Sequence, residues 1–478
     1  MLWVVISQAG FTFALSTWDK FNGALTNSSE QVMRGDFSSG WTIRWETPFP
    51  STGDYQNYAQ YLITDVDNDG QNEVVASYAK YILAMNGSDG TVEWAFWSVR
   101  TGWMITPAVA DVDGDDTLEV FADDSSSGAP EVIALKGSDG RLLWRASIPD
   151  AIIGSPVVAD VDDDGDYEVV VGDIGGTLSI FNATDGTLEC SYASGGGIRA
   201  TPAVDNDKIV FGGAATIYAI DGQCNLIWSR PVGSLFSPPA LLDVNGDNVM
   251  DVLMGVNNGY LYAFDGSAST VIWSYGMGCP IRGALAVGDV DFDGTKEVVV
   301  GDTCGGLAMV DATNGAEEWK ITLPYGIYPR GPIGLADFLP TGGLEIVVLV
   351  EPEPFSGTDN YAYIVSSSGD TIYRLDGYGD GFAIGDADSD GCIELILECD
   401  GCPSENDALF DDVDNLSACG LLAVDDDLAV SEVRPADAWD GEMKVYSADG
   451  RYLGREVPRR PGVYMLVGGG KSRLVVVR

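Results

Sequence analysis

The sequence predicts an all-β protein built from a repeated four-stranded unit, and three observations carry that prediction. Short runs rich in valine, isoleucine and tyrosine recur along the whole chain of 478 residues, separated by turns drawn from its 60 glycines, and no long stretch shows a 3.6-residue apolar period. An acidic motif recurs, starting at Asp65, Asp111, Asp160, Asp205, Asp243, Asp289, Asp337 and Asp386, at intervals of 46, 49, 45, 38, 46, 48 and 49 residues. A second motif keeps step with it: an apolar strand, a tight turn, and a strand carrying an aromatic residue, as in "YILAMNGSDGTVEW" and "VIALKGSDGRLLW". Each unit therefore reads strand, acidic loop, strand, linker, strand, turn, strand. Four antiparallel strands in about 45 residues are one blade of a β-propeller.

The elements follow in order. In six units the acidic loop is complete: "DVDNDGQNE", "DVDGDDTLE", "DVDDDGDYE", "DVNGDNVMD", "DVDFDGTKE" and "DADSDGCIE". The unit at Asp205 is truncated, and "DFLPTGGLE" from Asp337 keeps only its end residues. The turns of the second motif carry Asp-Gly and Asn-Gly pairs, the hairpin signal. Its aromatic slot holds Trp94, Trp144, Trp228, Trp273, Trp319 and Tyr373, with Cys190 standing in once. This series predicts packing of one blade on the next. Eight acidic positions predict eight four-stranded antiparallel blades. The eighth lacks its aromatic strand, and "DFSSGWTIRWETP" offers one with Trp45 in the slot, so the N-terminal strand is expected to close the ring and remove two open sheet edges. A sevenfold ring with one irregular blade is the alternative. The domain reading is an N-terminal segment 1–39, a propeller 40–430 and a small C-terminal β segment 431–478. The opening "MLWVVISQAGFTFALS" reads either as the remnant of a signal peptide or as a strand.

Composition excludes several functions. Formal net charge is −48, which argues against a nucleic-acid partner, because phosphate binding needs a basic face. There is no histidine, so Ser-His-Asp and Cys-His catalysis and every histidine-containing metal site are ruled out. No segment is long and apolar enough for a membrane span. Eight cysteines fit disulfides in an oxidising compartment. Cys190 with Cys224, and Cys279 with Cys304, are candidate pairs. The lone C-x-x-C at Cys399 and Cys402 offers a small metal knuckle as the rival reading. The tripeptide at Arg34–Asp36 matches a cell-attachment motif, which at this length is expected by coincidence.

The acidic loops followed by strands such as "EVVVGD" resemble the FG-GAP/VCBS repeat of integrin-α-like propellers. The "YLYAFDG…VIW" half resembles the PQQ-like repeat of quinoprotein propellers. FG-GAP loops of the form D-x-[DN]-x-D-x-x-x-[DE] bind calcium, and a hard cation taking six to eight oxygens suits carboxylates at alternate positions of a tight turn. The resemblance implies about six calcium ions. Their ligands are Asp65, Asp67, Asp69 and Glu73; Asp111, Asp113, Asp115 and Glu119; Asp160, Asp162, Asp164 and Glu168; Asp243, Asn245, Asp247 and Asp251; Asp289, Asp291, Asp293 and Glu297; and Asp386, Asp388, Asp390 and Glu394. A backbone carbonyl at loop position 7 joins each set. Asn245 makes its site the weaker one, and the loops at Asp205 and Asp337 are expected to stay empty.

The tail changes character: eight of the 25 Lys and Arg lie in residues 441–478. "VYSADGR", "PGVYMLV" and the terminal "RLVVVR" resemble the C-terminal sorting domain of type IX secretion cargo, although the match is shorter than a full domain. A pair of hairpins that merely caps the propeller is the plainer alternative. The combined expectation is a secreted or cell-surface, calcium-binding, non-enzymatic module for adhesion, for binding a protein or glycan, or for self-association into an extracellular assembly. The alternative is a calcium-dependent enzyme of polysaccharide-lyase type, with Arg199, Arg282 or Arg330 near strand starts as the base. A quinoprotein dehydrogenase is disfavoured, since these usually carry adjacent cysteines and this sequence has none.

Overall fold

The computed structural model describes residues 61–399, except 79, 99–104, 206–207, 329–332, 338–341, 353–360, 377 and 390–393, together with the backbone of strands at 30–34, 42–49, 419–425, 444–447, 452–454, 462–468 and 471–477. Among the described residues there is no helix. The strands form a β-propeller. Blades 1 to 8 span residues 61–97, 108–147, 157–193, 203–231, 240–276, 286–322, 333–376 and 378–425. Seven of these sheets are four-stranded and antiparallel, and the eighth, blade 7, is irregular, with a fifth strand Glu30–Arg34 lying parallel to Ile333–Asp337. Blade 8 takes its fourth strand from the N-terminal side: Thr42–Phe49 pairs antiparallel with Cys419–Asp425, placing Trp45 opposite Ala423. Residues 444–477 make a further four-stranded sheet of their own.

Each blade runs from the axis outward. The first strands, such as Val157–Ala159 and Ala203–Asp205, contact one another from blade to blade and so surround the axis. The second and third strands are sandwiched between neighbouring blades. Glu168–Gly172 is buried along its whole length, which is why its sequence is an unbroken valine run rather than an alternation. The outermost strand has one face free and alternates accordingly, as in Glu317–Thr322.

The core is therefore not a single centre but a series of layers between blades. One layer joins Val287, Val298 and Ala308 of blade 6 to Leu253, Leu261 and Trp273 of blade 5. A larger one joins blades 7, 8, 1 and 2 through Leu349, Phe382, Ile396, Leu62, Val75 and Val120, which closes the ring.

Candidate functional site

The acidic loops link the first and second strands of their blades. Their backbone enters the left-handed region twice, at positions 4 and 6: Asn68 and Gly70, Gly114 and Asp116, Asp163 and Gly165, Gly246 and Asn248, and Phe292 and Gly294 all have positive φ. Glycine relieves one of the two strained positions in each loop. The turn aims backbone N–H groups at the acids. Gly165 N donates to Asp160 Oδ2 at 3.1 Å and Asp166 N to Asp164 Oδ1 at 2.9 Å. Asn245 fills the same structural role as its aspartate counterparts, accepting from Asp247 N at 2.9 Å.

The position-9 acid has a second task that sequence reading missed. It opens the second strand, fully buried, and one of its oxygens accepts the N–H of position 2. Val66 donates to Glu73 at 2.9 Å, Val112 to Glu119 at 3.1 Å, Val161 to Glu168 at 2.8 Å, Val244 to Asp251 at 3.1 Å, Val290 to Glu297 at 2.8 Å and Ala387 to Glu394 at 2.5 Å. The acid thus staples the loop closed through the backbone.

In blades 1, 3 and 6 the position-9 acid also belongs to the acidic cluster, whereas in blade 5 the second oxygen of Asp251 is taken by Gly266 N at 2.9 Å. Oxygens of Asp65, Asp67 and Glu73 lie within 4.8 Å of one another, as do those of Asp160, Asp162 and Glu168, of Asp289, Asp291 and Glu297, and of Asp111, Asp113 and Asp115. In blade 3, Asp160 Oδ1, Asp162 Oδ1 and Glu168 Oε1 are all buried without a hydrogen-bond partner. Burial first, and the neighbouring carboxylates after it, push Glu73 and Glu168 up to about 8 and Glu119 and Glu297 up to about 7, against the lowering effect of the position-2 N–H. Asp251 is raised for the same leading reason. Three orphaned carboxyl oxygens facing each other are what a hard cation would satisfy. Asp390 lies outside the described residues, so the sixth set is placed only through Asp386, Asp388 and Glu394.

The truncated blade 4 shows the converse. Lys208 opens its second strand, where other blades have the acid, and its ammonium donates to Met250 O of blade 5 at 2.7 Å. A fixed cation here occupies the register that an acid holds elsewhere. The cysteines Cys279 and Cys304 also cluster with Asp302. They are joined as a disulfide, which leaves no thiolate to bind a metal.

The tryptophans lock blade to blade. Trp144, Trp228, Trp273 and Trp319 each donate an indole N–H at 2.8 Å to a carbonyl of the next blade, at Ala183, Gly266, Ala312 and Ser367. Each ring lies on the next blade's hairpin turn. At Gly315, with φ +69°, a Cβ would sit 2.6 Å from the Trp273 ring. Cys190, in the same slot of blade 3, replaces this contact with a disulfide to Cys224 in the turn of blade 4. Cys224 itself has φ +63°. The second disulfide, Cys279–Cys304, ties the entry to blade 6 to that blade's own second turn. The C-x-x-C at Cys399 and Cys402 falls largely outside the described residues.

Fold and loops together define a β-propeller whose blades carry acidic loops on one face. The comparisons with known proteins agree on the first part. A family model described as outer membrane protein assembly factor BamB matches residues 97–232 and 174–327, and one for the FG-GAP-like repeat matches 65–122. No curated protein matches. Among solved structures, BamB from Moraxella catarrhalis is 17% identical with a TM-score of 0.50, covering 80% of this chain and 97% of that one. A europium-containing methanol dehydrogenase is 12% identical with a TM-score of 0.60, covering 86% and 98%. The quinohemoprotein alcohol dehydrogenase from Comamonas testosteroni is 11% identical with a TM-score of 0.62, covering 89% and 82%. At these identities the likeness is one of fold.

Proposed function

We propose that this chain is a calcium-stiffened β-propeller acting as a non-enzymatic protein-binding module outside the reducing cytoplasm. The observation that carries the calcium assignment is the blade 3 loop, where three carboxylate oxygens converge, buried and without a hydrogen-bond donor. Asp160, Asp162 and Glu168 would hold the ion there, with the matching residues doing so in the other complete loops. The ion neutralises carboxylates that otherwise repel each other, and its role is stability rather than chemistry, because the loops belong to separate blades. Two disulfides support an oxidising location. Among the described residues no helix is long and apolar enough to cross a membrane. The match to the assembly-factor family supports a protein partner. Residues 431–478, which resemble a type IX sorting domain, would serve export to the cell surface, and adhesion or assembly there is the role that follows. Metal analysis of purified protein, with thermal melting before and after chelation, tests the central claim. Absence of calcium together with an unchanged melt would overturn it.

A further inference from the structure

The linkers that lead into the first strands of blades 4, 5 and 6 share a pattern. Each plants an apolar anchor in the core, Ile198, Leu235 and Ile281, at 0%, 5% and 0% exposure. Each anchor's N–H is held by a carbonyl of the preceding blade, at Asp173, Ala214 and Val256. The residue after the anchor lies four positions before the first strand and projects from the core: Arg199, Phe236 and Arg282. These three neighbours stack. The Arg199 guanidinium lies 5.7 Å and that of Arg282 5.2 Å from the centroid of the Phe236 ring. Arg282 is also oriented, since its Nε donates to Asn257 Oδ1 at 2.9 Å. Its linker is pinned by the Cys279–Cys304 disulfide and by Thr303 N donating to Pro280 O at 3.0 Å.

Two features make this row more than surface. In a chain of net charge −48, two arginines share one phenyl ring, and among the described residues neither has an acidic partner. The row also lies at the near end of the axial strands, whereas the acidic loops leave the far end of the same strands. It is therefore on the opposite face from the acidic loops.

We propose that Arg199, Phe236 and Arg282 form a docking site for an acidic segment of a partner protein, with one carboxylate taken by each guanidinium and the phenyl ring covered by the methylenes between them. This deepens the protein-binding reading and does not depend on the calcium assignment. A guanidinium fork matches a carboxylate bidentately, and the ring holds both forks in place by cation–π attraction. A uniform polyanion such as a polyuronate is disfavoured. The field of the acidic chain repels it along its length, while at about 0.15 M salt screening over roughly 8 Å spares a short segment. An otherwise neutral segment carrying two neighbouring carboxylates gains the local contacts with little repulsion.

The test uses the full chain in about 0.15 M salt, with calcium present. The probe is a fluorescein-labelled synthetic peptide carrying two adjacent glutamates, compared with its twin carrying glutamines. Fluorescence anisotropy should show the glutamate peptide binding at least about tenfold more tightly. Arg199→Gln and Arg282→Gln should each lose about tenfold and shrink the difference between the twins, with Arg282→Lys intermediate because it keeps charge but not the fork. Arg145→Gln, at an arginine already paired with Glu131 at 2.7 Å, should bind like the parent. Melting curves of the same variants report folding, and calcium titration of the parent separates failure of this site from failure of the calcium assignment. Lack of binding, equal binding of the twins, an unaltered preference in the folded arginine variants, or tighter binding of an oligouronate than of the peptide would each overturn the proposal.

Discussion

Glu168 serves two masters, and its two oxygens can be separated by substitution. One accepts the Val161 N–H at 2.8 Å, and the other is buried without a partner beside Asp160 and Asp162. Glu168→Gln keeps an acceptor for Val161 but removes the charge. Without metal at pH 8 the variant should melt above the parent, because the buried carboxyl no longer has to choose between charge and a proton. With calcium the order should reverse, because the parent alone gains from the ion. Differential scanning calorimetry in chelator and in calcium reads both, and an unchanged order denies Glu168 a metal-facing role. The same burial sets a pH dependence. Glu73, Glu119, Glu168 and Glu297 have folded values raised to about 7–8. The native state then holds more protons than the unfolded chain between the ordinary glutamate value and about 8, so stability of the metal-free protein falls as pH rises through that window. Melts of chelated protein from about pH 5 to 8 should show a steady decline, and saturating calcium should abolish it.

The blade contact is the next scale up. The Trp228 indole reaches Gly266 O at 2.8 Å in a buried interface, so Trp228→Phe keeps most of the packing and strands that carbonyl. The expected loss is about 1–3 kcal/mol, measurable by urea unfolding, whereas a packing role without the hydrogen bond would leave the variant near the parent. At Cys190 the chain uses a covalent link for the same purpose. The bridge closes a segment with sequence separation 34, which on a chain-entropy basis contributes about 3–4 kcal/mol. Reduction should lower the melting temperature. The double substitution Cys190→Trp with Cys224→Gly restores the pattern of the other blades, so it should recover part of the loss even under reducing conditions.

For the whole molecule the ring must be closed and its loops neutralised. Thr42–Phe49 pairs with Cys419–Asp425, joining segments far apart in sequence. Deleting residues 1–50 leaves the latter strand with an open edge, and light scattering should report aggregation; a monomeric truncation with the parent's melt would deny the strand a closing role. Each calcium site held at about 100 times its dissociation constant adds about 2.7 kcal/mol, and less at partial filling. Several sites acting together should make chelation lower the melting temperature by roughly 5–10 °C, reversibly on adding calcium.

The blade repeat was legible in the sequence because its signals are local. Strand burial, the left-handed turn positions and the convergence of acids at alternate loop positions are set by residues within about a dozen of one another. The six acidic loops, the Trp slots and the strand around Trp45 could therefore be read without coordinates. The tertiary structure decided what depends on two blades meeting. Lys208 in the register of an absent acid gives no local signal, since its acceptor is Met250 of the next blade. Cys190 and Cys224 were only candidates for pairing until the aromatic slot of blade 3 met the turn of blade 4. The glutamates read as simple ligands because a backbone N–H seven residues away is invisible as a donor until the loop folds back on it. Arg199, Phe236 and Arg282 are scattered over more than eighty positions, and only the ring's curvature brings their side chains together. Sequence periodicity specifies each blade because hydrogen bonding and burial within it are local, but the contacts between blades are fixed by the packing of sheet on sheet.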